Sequence, residues 1–499
     1  MQRITIDPIT RLEGHGKIEI FLNDQGDVAN TYFQIPELRG FERFCVGRPI
    51  EEMAIITNRI CGVCPEAHHM AAAKAADAAY KVQIPSTAKK LRELLYSGFY
   101  FTDHTTHFYA LGGPDFVMGP DAPVAERNIL GVIHKVGLEI GGKVIQARKY
   151  GHGIVEIIGG RKVHPCTSIP GGQTKGITEE QRQEIEKMGR WAIEFAQFSL
   201  KLFNDIVLGN QAYVDLILGE TYTHRTYNIG MVDENNKINF YDGKISVVAP
   251  DGERFGKYAP HEYTDWIAER VEPWTYLKFT YLKKVGWKGL VDGKDSGVYM
   301  ATPLSRLNAS DGMATPLAQE EYERFYATIG QADGQASGPG TTPVVHHRLA
   351  IHWARLIELL YAAERIVELA TDPEITAPNF HTIPTQTPTE GVGIVEAPRG
   401  TLTHHYWTDE RGIVTKANLI VGTTNNYAPI SMSIKKAAQT LIHQGSVVTE
   451  GMLNMVEMAF RAYDPCFGCA THSLPGQMPL EVTIRDAEGN PIEVLRQFC

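Results

Sequence analysis

The stretch Arg59-Ile-Cys-Gly-Val-Cys-Pro-Glu-Ala-His-His69 decides how the rest of the chain is read. Cys61 and Cys64 form a C-x-x-C pair, and His68 follows four residues later. Pro65 suits the first turn of a helix, where its missing N–H costs nothing. The run after it, Met70-Ala-Ala-Ala-Lys-Ala-Ala-Asp-Ala-Ala79, is built from strong helix formers. Both thiols therefore stand at a predicted helix N-terminus, where the helix dipole favours thiolate. A thiolate pair at this spacing suits a soft metal ion.

A second pair lies near the other end, in Asp464-Pro-Cys-Phe-Gly-Cys-Ala-Thr-His472, with Cys466 and Cys469. Zinc ribbons bring two such pairs together across roughly 15–20 residues. Here about four hundred residues separate them, so only a whole folded domain could unite them. Four cysteines in one place suit nickel, zinc or an iron–sulfur cluster alike. The two long motifs, R-I-C-G-V-C-x-x-x-H and D-P-C-x-x-C-x-x-H, resemble the signature of nickel–iron hydrogenase large subunits. The likeness extends from Thr10 to His472, with 210–300 poorly matched.

The resemblance implies a reaction, reversible heterolytic cleavage of dihydrogen, and a set of roles. Cys61 and Cys466 would be terminal ligands of nickel, and Cys64 and Cys469 would bridge nickel to an iron carrying CO and cyanide. Thr10-Arg-Leu-Glu-Gly-His15 resembles the family's T-R-I-E-G-H motif, which makes Glu13 the group that takes protons from a nickel-bound thiolate. Arg39-Gly-Phe-Glu42 resembles R-G-x-E, which makes Glu42 a ligand of a separate magnesium or other divalent ion, together with His472. Carboxylate oxygen suits such a hard cation. Asp103, in Asp-His-Thr-Thr-His107-Phe-Tyr, would lie behind the metal ligands. His68 would hydrogen-bond a bridging cysteine. Arg399, in Glu396-Ala-Pro-Arg-Gly400, would stand over the open side of the metal pair. Thr423, in Val421-Gly-Thr-Thr-Asn425, would donate to a cyanide.

The rest of the chain predicts an α+β, mainly helical fold. Residues 3–35 alternate like strands, with a turn at Asn23-Asp-Gln-Gly26, and predict a small antiparallel sheet. Thr178-Glu-Glu-Gln181 is a capping box, opening a helix with Ile185, Met188, Ala192, Phe195 and Leu202 on one face. Leu349, Trp353, Leu356, Leu360, Ala363 and Val367 predict another helix with one buried face, a member of a central bundle. Residues 210–300 read as a peripheral β-containing insertion, and the glycine-rich 334–343 as an ordered loop. The expected organisation is one large-subunit domain over 1–472, with a β-rich part at 1–45. A C-terminal maturation extension follows at 473–499, where two strand patterns flank a turn. In the family a maturation protease removes this extension after nickel insertion.

Composition narrows the partners. The chain has 499 residues, 43% hydrophobic and 21% charged, with net charge −10. That balance is ordinary for a globular protein and argues against a nucleic-acid surface. No apolar run approaches the roughly 18–20 residues that span a bilayer, and the N-terminus shows no signal-peptide pattern. The expected location is cytoplasmic, which leans the resemblance toward the multimeric hydrogenases coupled to nicotinamide, deazaflavin, or heterodisulfide and ferredoxin chemistry. Seven cysteines make no disulfide framework. Cys45 and Cys166 read as buried free thiols. No cysteines remain for an electron relay, so the expected partners are an iron–sulfur small subunit together with further electron-transfer subunits. Maturation would need the protease and nickel-insertion factors. Two rival readings are a non-catalytic scaffold with a four-cysteine zinc site and a complex I-like quinone-site subunit, which belongs to a related group lacking the four cysteines.

Overall fold

The alanine run becomes helix α1 (Pro65–Ala79), buried along most of its length. In the computed structural model, which describes residues 3–330, 343–472, 480–485 and 491–497, strand Glu390–Ala397 lies directly on this helix. Contact that close needs small residues on both sides. A Cβ on Gly393 would come within 2.0 Å of Ala71 O, and one on Gly391 within 2.0 Å of Ala75 O. Alanine on the helix and glycine on the strand are thus two halves of one packing solution.

Four long helices build the bundle beside it: α2 (Ser86–Thr106), α3 (Leu138–Gly159), α4 (Glu179–Phe203) and α5 (Ile351–Ala370). The α4 capping box is present as expected, with Thr178 Oγ1 accepting from Gln181 N and Gln181 Oε1 accepting from Thr178 N. Single π-helical turns extend α2 (His107–Gly112) and α4 (Asn204–Leu208). Two further helices, α6 (Gly422–Leu441) and α7 (Glu450–Arg461), close the core near the second cysteine pair.

Strands Arg3–Ile6, Lys17–Leu22 and Val28–Gln34 form the expected antiparallel N-terminal sheet. The 210–300 region contributes a four-stranded sheet containing Tyr227–Val232, Lys244–Val248 and Arg254–Tyr258, with its own apolar cluster. A third sheet pairs Glu390–Ala397, Gly400–Thr408 and Val414–Ile420. The observed architecture is α+β and mainly helical, as the patterns predict. Most of the 334–343 joint, and the turn expected at 487–490, fall outside the described residues. The two strands flanking that turn do pair, Leu480–Arg485 antiparallel to Pro491–Gln497. Among the described residues no helix is long and apolar enough to cross a membrane.

Two expectations need correction. Cys45 is buried, but Cys166 is only half-buried, with Sγ 3.7 Å from Gly159 O. Helix α5 is buried almost all round, not on one face, and Arg355 and Glu358 are inside with the apolar residues. Those charges are tolerated because other elements pair them. Glu358 accepts from Arg306 Nε at 2.6 Å and Nη2 at 2.7 Å, and meets His104 Nε2 at 2.9 Å. Arg306 also donates to Glu396 at 3.0 Å. Burial alone would raise the Glu358 carboxyl, but the Arg306 guanidinium overcomes it and holds the group below its usual range.

Removing one partner of such a pair leaves a buried charge, at a cost of about 3–5 kcal/mol. Glu358→Gln is therefore expected to lower the melting temperature of the purified enzyme clearly. Breaking the exposed Lys143–Glu139 pair, 3.0 Å long on the α3 surface, should leave it unchanged. The sign with pH follows. A depressed carboxyl contributes its stability above the unfolded-state value and loses it as pH falls through the lower folded value. The melting difference between Glu358→Gln and the unmodified enzyme should thus shrink in acid. Equal melting of the two at neutral pH would remove the buried pair from the account.

Candidate metal centre

Cys61 sits in extended backbone and Cys64 occupies the N-cap of α1, with Pro65 in its first turn. The turn between them aims two backbone donors at one sulfur: Val63 N and Cys64 N lie 3.1 and 3.3 Å from Cys61 Sγ. Cys466 and Cys469 arrive from the loop after α7, entered through Asp464 in left-handed backbone (φ 57°). The sulfurs of Cys61 and Cys466 are 3.5 Å apart, those of Cys64 and Cys469 3.6 Å, and those of Cys466 and Cys469 2.7 Å. All four lie within 4.8 Å of one another, buried, and none is in a disulfide. Among the described residues no other group of three or more metal-ligating side chains exists.

The four thiols ionise together only around a cation. Hydrogen bonds from the neighbouring thiols, with help from the Arg399 charge, hold Cys61 well below the usual thiol range. Burial pushes Cys466 and Cys469 well above it. Four thiolates cannot share this space unless positive charge is bound between them. Four convergent sulfurs without nitrogen or oxygen donors fit soft transition metals.

Glu13 reaches the cluster because the segment between the first two strands is laid against the second cysteine loop. A parallel bridge joins Glu13 and Cys466, with Phe467 N donating to Glu13 O at 3.0 Å. Glu13 Oε2 accepts from Cys466 Sγ at 2.9 Å and from Gly468 N at 3.1 Å. Glycine at 468 leaves room for this carboxylate, since a Cβ would stand 2.7 Å from Glu13 Oε1 and push it aside. Burial, and then the Cys61 charge, raise the Glu13 carboxyl above its usual range. The turn that aims Glu13 is strained: Arg11 adopts φ 59°, a conformation costing about 1–3 kcal/mol for such a residue. An ionic clamp holds it there. Arg11 pairs with Asp115 at 2.5 Å and donates to Leu111 O at 3.0 Å. Arg461 binds Asp115, Glu457 and Thr10, and Thr10 N donates to Glu457 at 2.7 Å.

Arg399 turns the corner between two strands of the third sheet, and its guanidinium is pinned from both sides. It pairs with Asp103 at 2.9 Å and with Asp464 at 3.2 Å. Arg355 approaches Asp464 to 3.4 Å from the other side. Burial lifts the Asp464 carboxyl to about 7 against the pull of both arginines. Thr423 opens α6 and its Oγ1 accepts from Cys466 N at 3.0 Å, which leaves its own proton free to donate. His68, buried on α1, meets His404 at 3.0 Å. A cavity of about 120 Å3 adjoins the centre, lined by Val63, Glu66, Asp103, Arg148 and His152 among others.

Glu42 and His472 lie elsewhere. Glu42 is buried and accepts from Leu419 N at 3.0 Å, and burial lifts its carboxyl to about 7. His472 Nε2 donates to Cys469 O, its Nδ1 has no partner among the described residues, and its ring meets Phe41 edge-on at 5.5 Å. The sequence motifs carry no role for Asp464, Arg355, Arg11, Asp115, Arg461 or His404. Asp464 stands inside the second cysteine motif and Arg11 inside the Thr10–His15 motif, and these two were the legible signals among them.

Four buried sulfurs with a carboxylate and an arginine beside them, set in this α+β frame, define a metalloprotein with a soft-metal thiolate centre. Comparison with known proteins makes this specific. The family described as nickel-dependent hydrogenase matches residues 39–128 and 319–472, and one described as HoxL-like matches 3–38. An iron-sulfur subunit of the F420-non-reducing hydrogenase from Archaeoglobus profundus is 46% identical over 498 residues, covering 100% of both chains. The NAD-reducing hydrogenase HoxS subunit beta of Cupriavidus necator is 36% identical, covering 99% of each. The crystal structure of an NAD+-reducing [NiFe]-hydrogenase in the H2-reduced state superposes with TM-score 0.84 at 35% identity, over 95% of this chain and 100% of that one. The chain belongs to the nickel-dependent hydrogenase family. It is a catalytic large subunit of the nickel–iron type, an oxidoreductase acting on dihydrogen, as the two cysteine motifs led us to expect.

Proposed function

We propose that Cys61, Cys64, Cys466 and Cys469 hold a nickel–iron pair, Cys61 and Cys466 on nickel alone and Cys64 and Cys469 shared with an iron that carries CO and cyanide. Bound there, the pair supplies heterolytic cleavage of dihydrogen. The observation that carries the reading is Glu13 Oε2 at 2.9 Å from Cys466 Sγ, inside a buried four-sulfur cluster. That is hydrogen-bond reach for direct proton transfer. A carboxyl raised above its usual range is a better match for a thiol proton than a free one. Glu13 takes the proton released at Cys466 and passes it outward. Arg399, which cannot be deprotonated, keeps a fixed positive charge beside the sulfurs. Asp103 and Asp464 hold its fork in place. Thr423 donates its free hydroxyl proton toward the iron's cyanide, and His68 serves a bridging sulfur. Glu42 and His472 serve a separate divalent ion such as magnesium; both are buried, and His472 Nδ1 has no partner among the described residues.

Electrons leave through an iron–sulfur small subunit, then through further electron-transfer chains, because the four clustered cysteines are committed to the centre. The relative from Cupriavidus necator is named as NAD-reducing, and a water-soluble acceptor supports a cytoplasmic setting. Residues 473–499 act as an assembly tether until a maturation protease cuts after His472, once nickel-insertion factors have loaded the site. Two observations support this: the family match stops at residue 472, and His472 is buried. Mass spectrometry of the native active complex tests the scheme. It should find a co-purifying iron–sulfur chain and this large subunit ending at His472. A fully active complex in which the large subunit keeps its full length would exclude obligatory cleavage, and an active chain without any iron–sulfur partner would exclude the electron route.

A further inference from the structure

A proton taken up by Glu13 is still buried and needs a way to water. The segment after strand Val28–Gln34 runs beside it, and both ends of that segment are pinned. Ile35 N donates to Thr275 Oγ1 at 3.2 Å, and Ile35 O accepts from Tyr276 N at 3.1 Å. Arg39 N donates to Thr471 O at 3.0 Å, and its guanidinium donates to Ile60 O at 2.7 Å and to Gly468 O at 3.5 Å. Glu37, between these anchors, is thereby held against the second cysteine loop.

The two oxygens of Glu37 face different surroundings. Oε1 meets His15 Nδ1 at 2.5 Å, and that histidine side chain is 78% exposed. Oε2 is buried and has no partner among the described residues, an unfavourable state for a carboxylate oxygen. An ion pair with so exposed a histidine adds little to stability, so stability does not account for the arrangement.

Gly14 shows what Oε2 faces. A Cβ placed on Gly14 would stand 2.8 Å from Glu37 Oε2 and also 2.8 Å from Gly468 N. Gly468 N is the donor that holds Glu13 Oε2, at 3.1 Å. The space a methyl group would fill thus lies between the Glu37 carboxylate and the amide that binds Glu13. Glycine keeps that space clear, in left-handed backbone (φ 89°) that an ordinary residue rarely adopts.

We propose that Glu37 and His15 form the exit through which the Glu13 proton reaches solvent. The idea rests on the reading of Glu13 as the acceptor of the Cys466 proton. The carboxyl proton of Glu13 passes to Glu37 Oε2, directly or through one water. Glu13 returns to its carboxylate, ready for the next proton. The protonated Glu37 carboxyl turns about its Cγ–Cδ bond and donates to His15 Nδ1. The imidazolium releases a proton from Nε2 to bulk water, and the exposed ring resets its tautomer in solvent. A proton leaves and no electrons move.

Hydrogen–deuterium exchange in the native, metal-loaded complex tests the route, with nickel and iron measured on each variant. Glu37→Gln should keep its metals and lose exchange by about 10²-fold, the lower end of what a positioned acid–base group contributes. His15→Ala, a change at an exposed side chain, should also slow exchange, and imidazole added to the buffer should restore it. A purely structural role for the pair would leave exchange insensitive to imidazole. A Glu37→Gln enzyme that exchanges at the unmodified rate overturns the proposal, and so does a His15→Ala enzyme that imidazole does not speed up. Glu13→Gln, measured beside them, separates the two ideas. Slow exchange there with fast exchange in Glu37→Gln removes this exit alone, whereas fast exchange in Glu13→Gln removes the reading it rests on.

Discussion

Replacing Cys469 with serine should empty the metal centre. Its sulfur lies 2.7 Å from that of Cys466 and 3.6 Å from that of Cys64, so it serves both pairs at once. A serine hydroxyl is a hard donor that stays protonated at neutral pH, and a soft metal gains little from it. Even the outer partners of metal ligands cost about 10–100-fold in affinity when lost, so losing a ligand should cut bound nickel and iron at least about tenfold. Hydrogen-dependent turnover should fall with them. The fold should survive, because the change leaves the backbone hydrogen bonds of the loop in place, such as Ala470 N to Phe467 O at 3.0 Å. Elemental analysis beside circular dichroism separates the two outcomes. A folded Cys469→Ser enzyme with full metal content would remove Cys469 from the ligand set.

Glu13→Gln should produce the opposite pattern, with metals intact and proton traffic blocked. Glutamine keeps the shape and can still accept from Gly468 N, now 3.1 Å from the carboxylate. It cannot take up the Cys466 proton. General acid–base groups contribute about 10²–10⁴-fold, so hydrogen–deuterium exchange should drop by about that factor while nickel and iron stay unchanged. Exchange at the unmodified rate would place the relay on another group.

Much of this was readable in the chain, and the reasons differ by element. The cysteine pairs were legible because ligand chemistry forces a fixed spacing, and α1 because Pro65 and a run of alanines leave little alternative. The α4 start was legible because Thr178 and Gln181 satisfy each other locally. What escaped depends on partners far away in sequence. Glu13 and Cys466 stand 453 residues apart; no local pattern announces their contact, and only the family resemblance paired them beforehand. Apolar periodicity marked one buried face of α5 and carried no signal for the burial of Arg355 and Glu358. Their partners, Asp464 and Arg306, come from other elements. The left-handed turn at Arg11 falls on a residue that favours other backbone, so the surrounding ion pairs explain it, whereas aspartate at 464 is among the few residues that enter this region readily.

The central claim is that four thiolates from the two ends of the chain hold one nickel–iron pair. Metal quantification with infrared spectroscopy on the purified native complex tests it most directly. The account expects nickel and iron in equal amounts at this large subunit, beyond the iron of the partner's clusters, with CO and cyanide stretching bands. Zinc alone in the four-cysteine site, with no such bands, would contradict it.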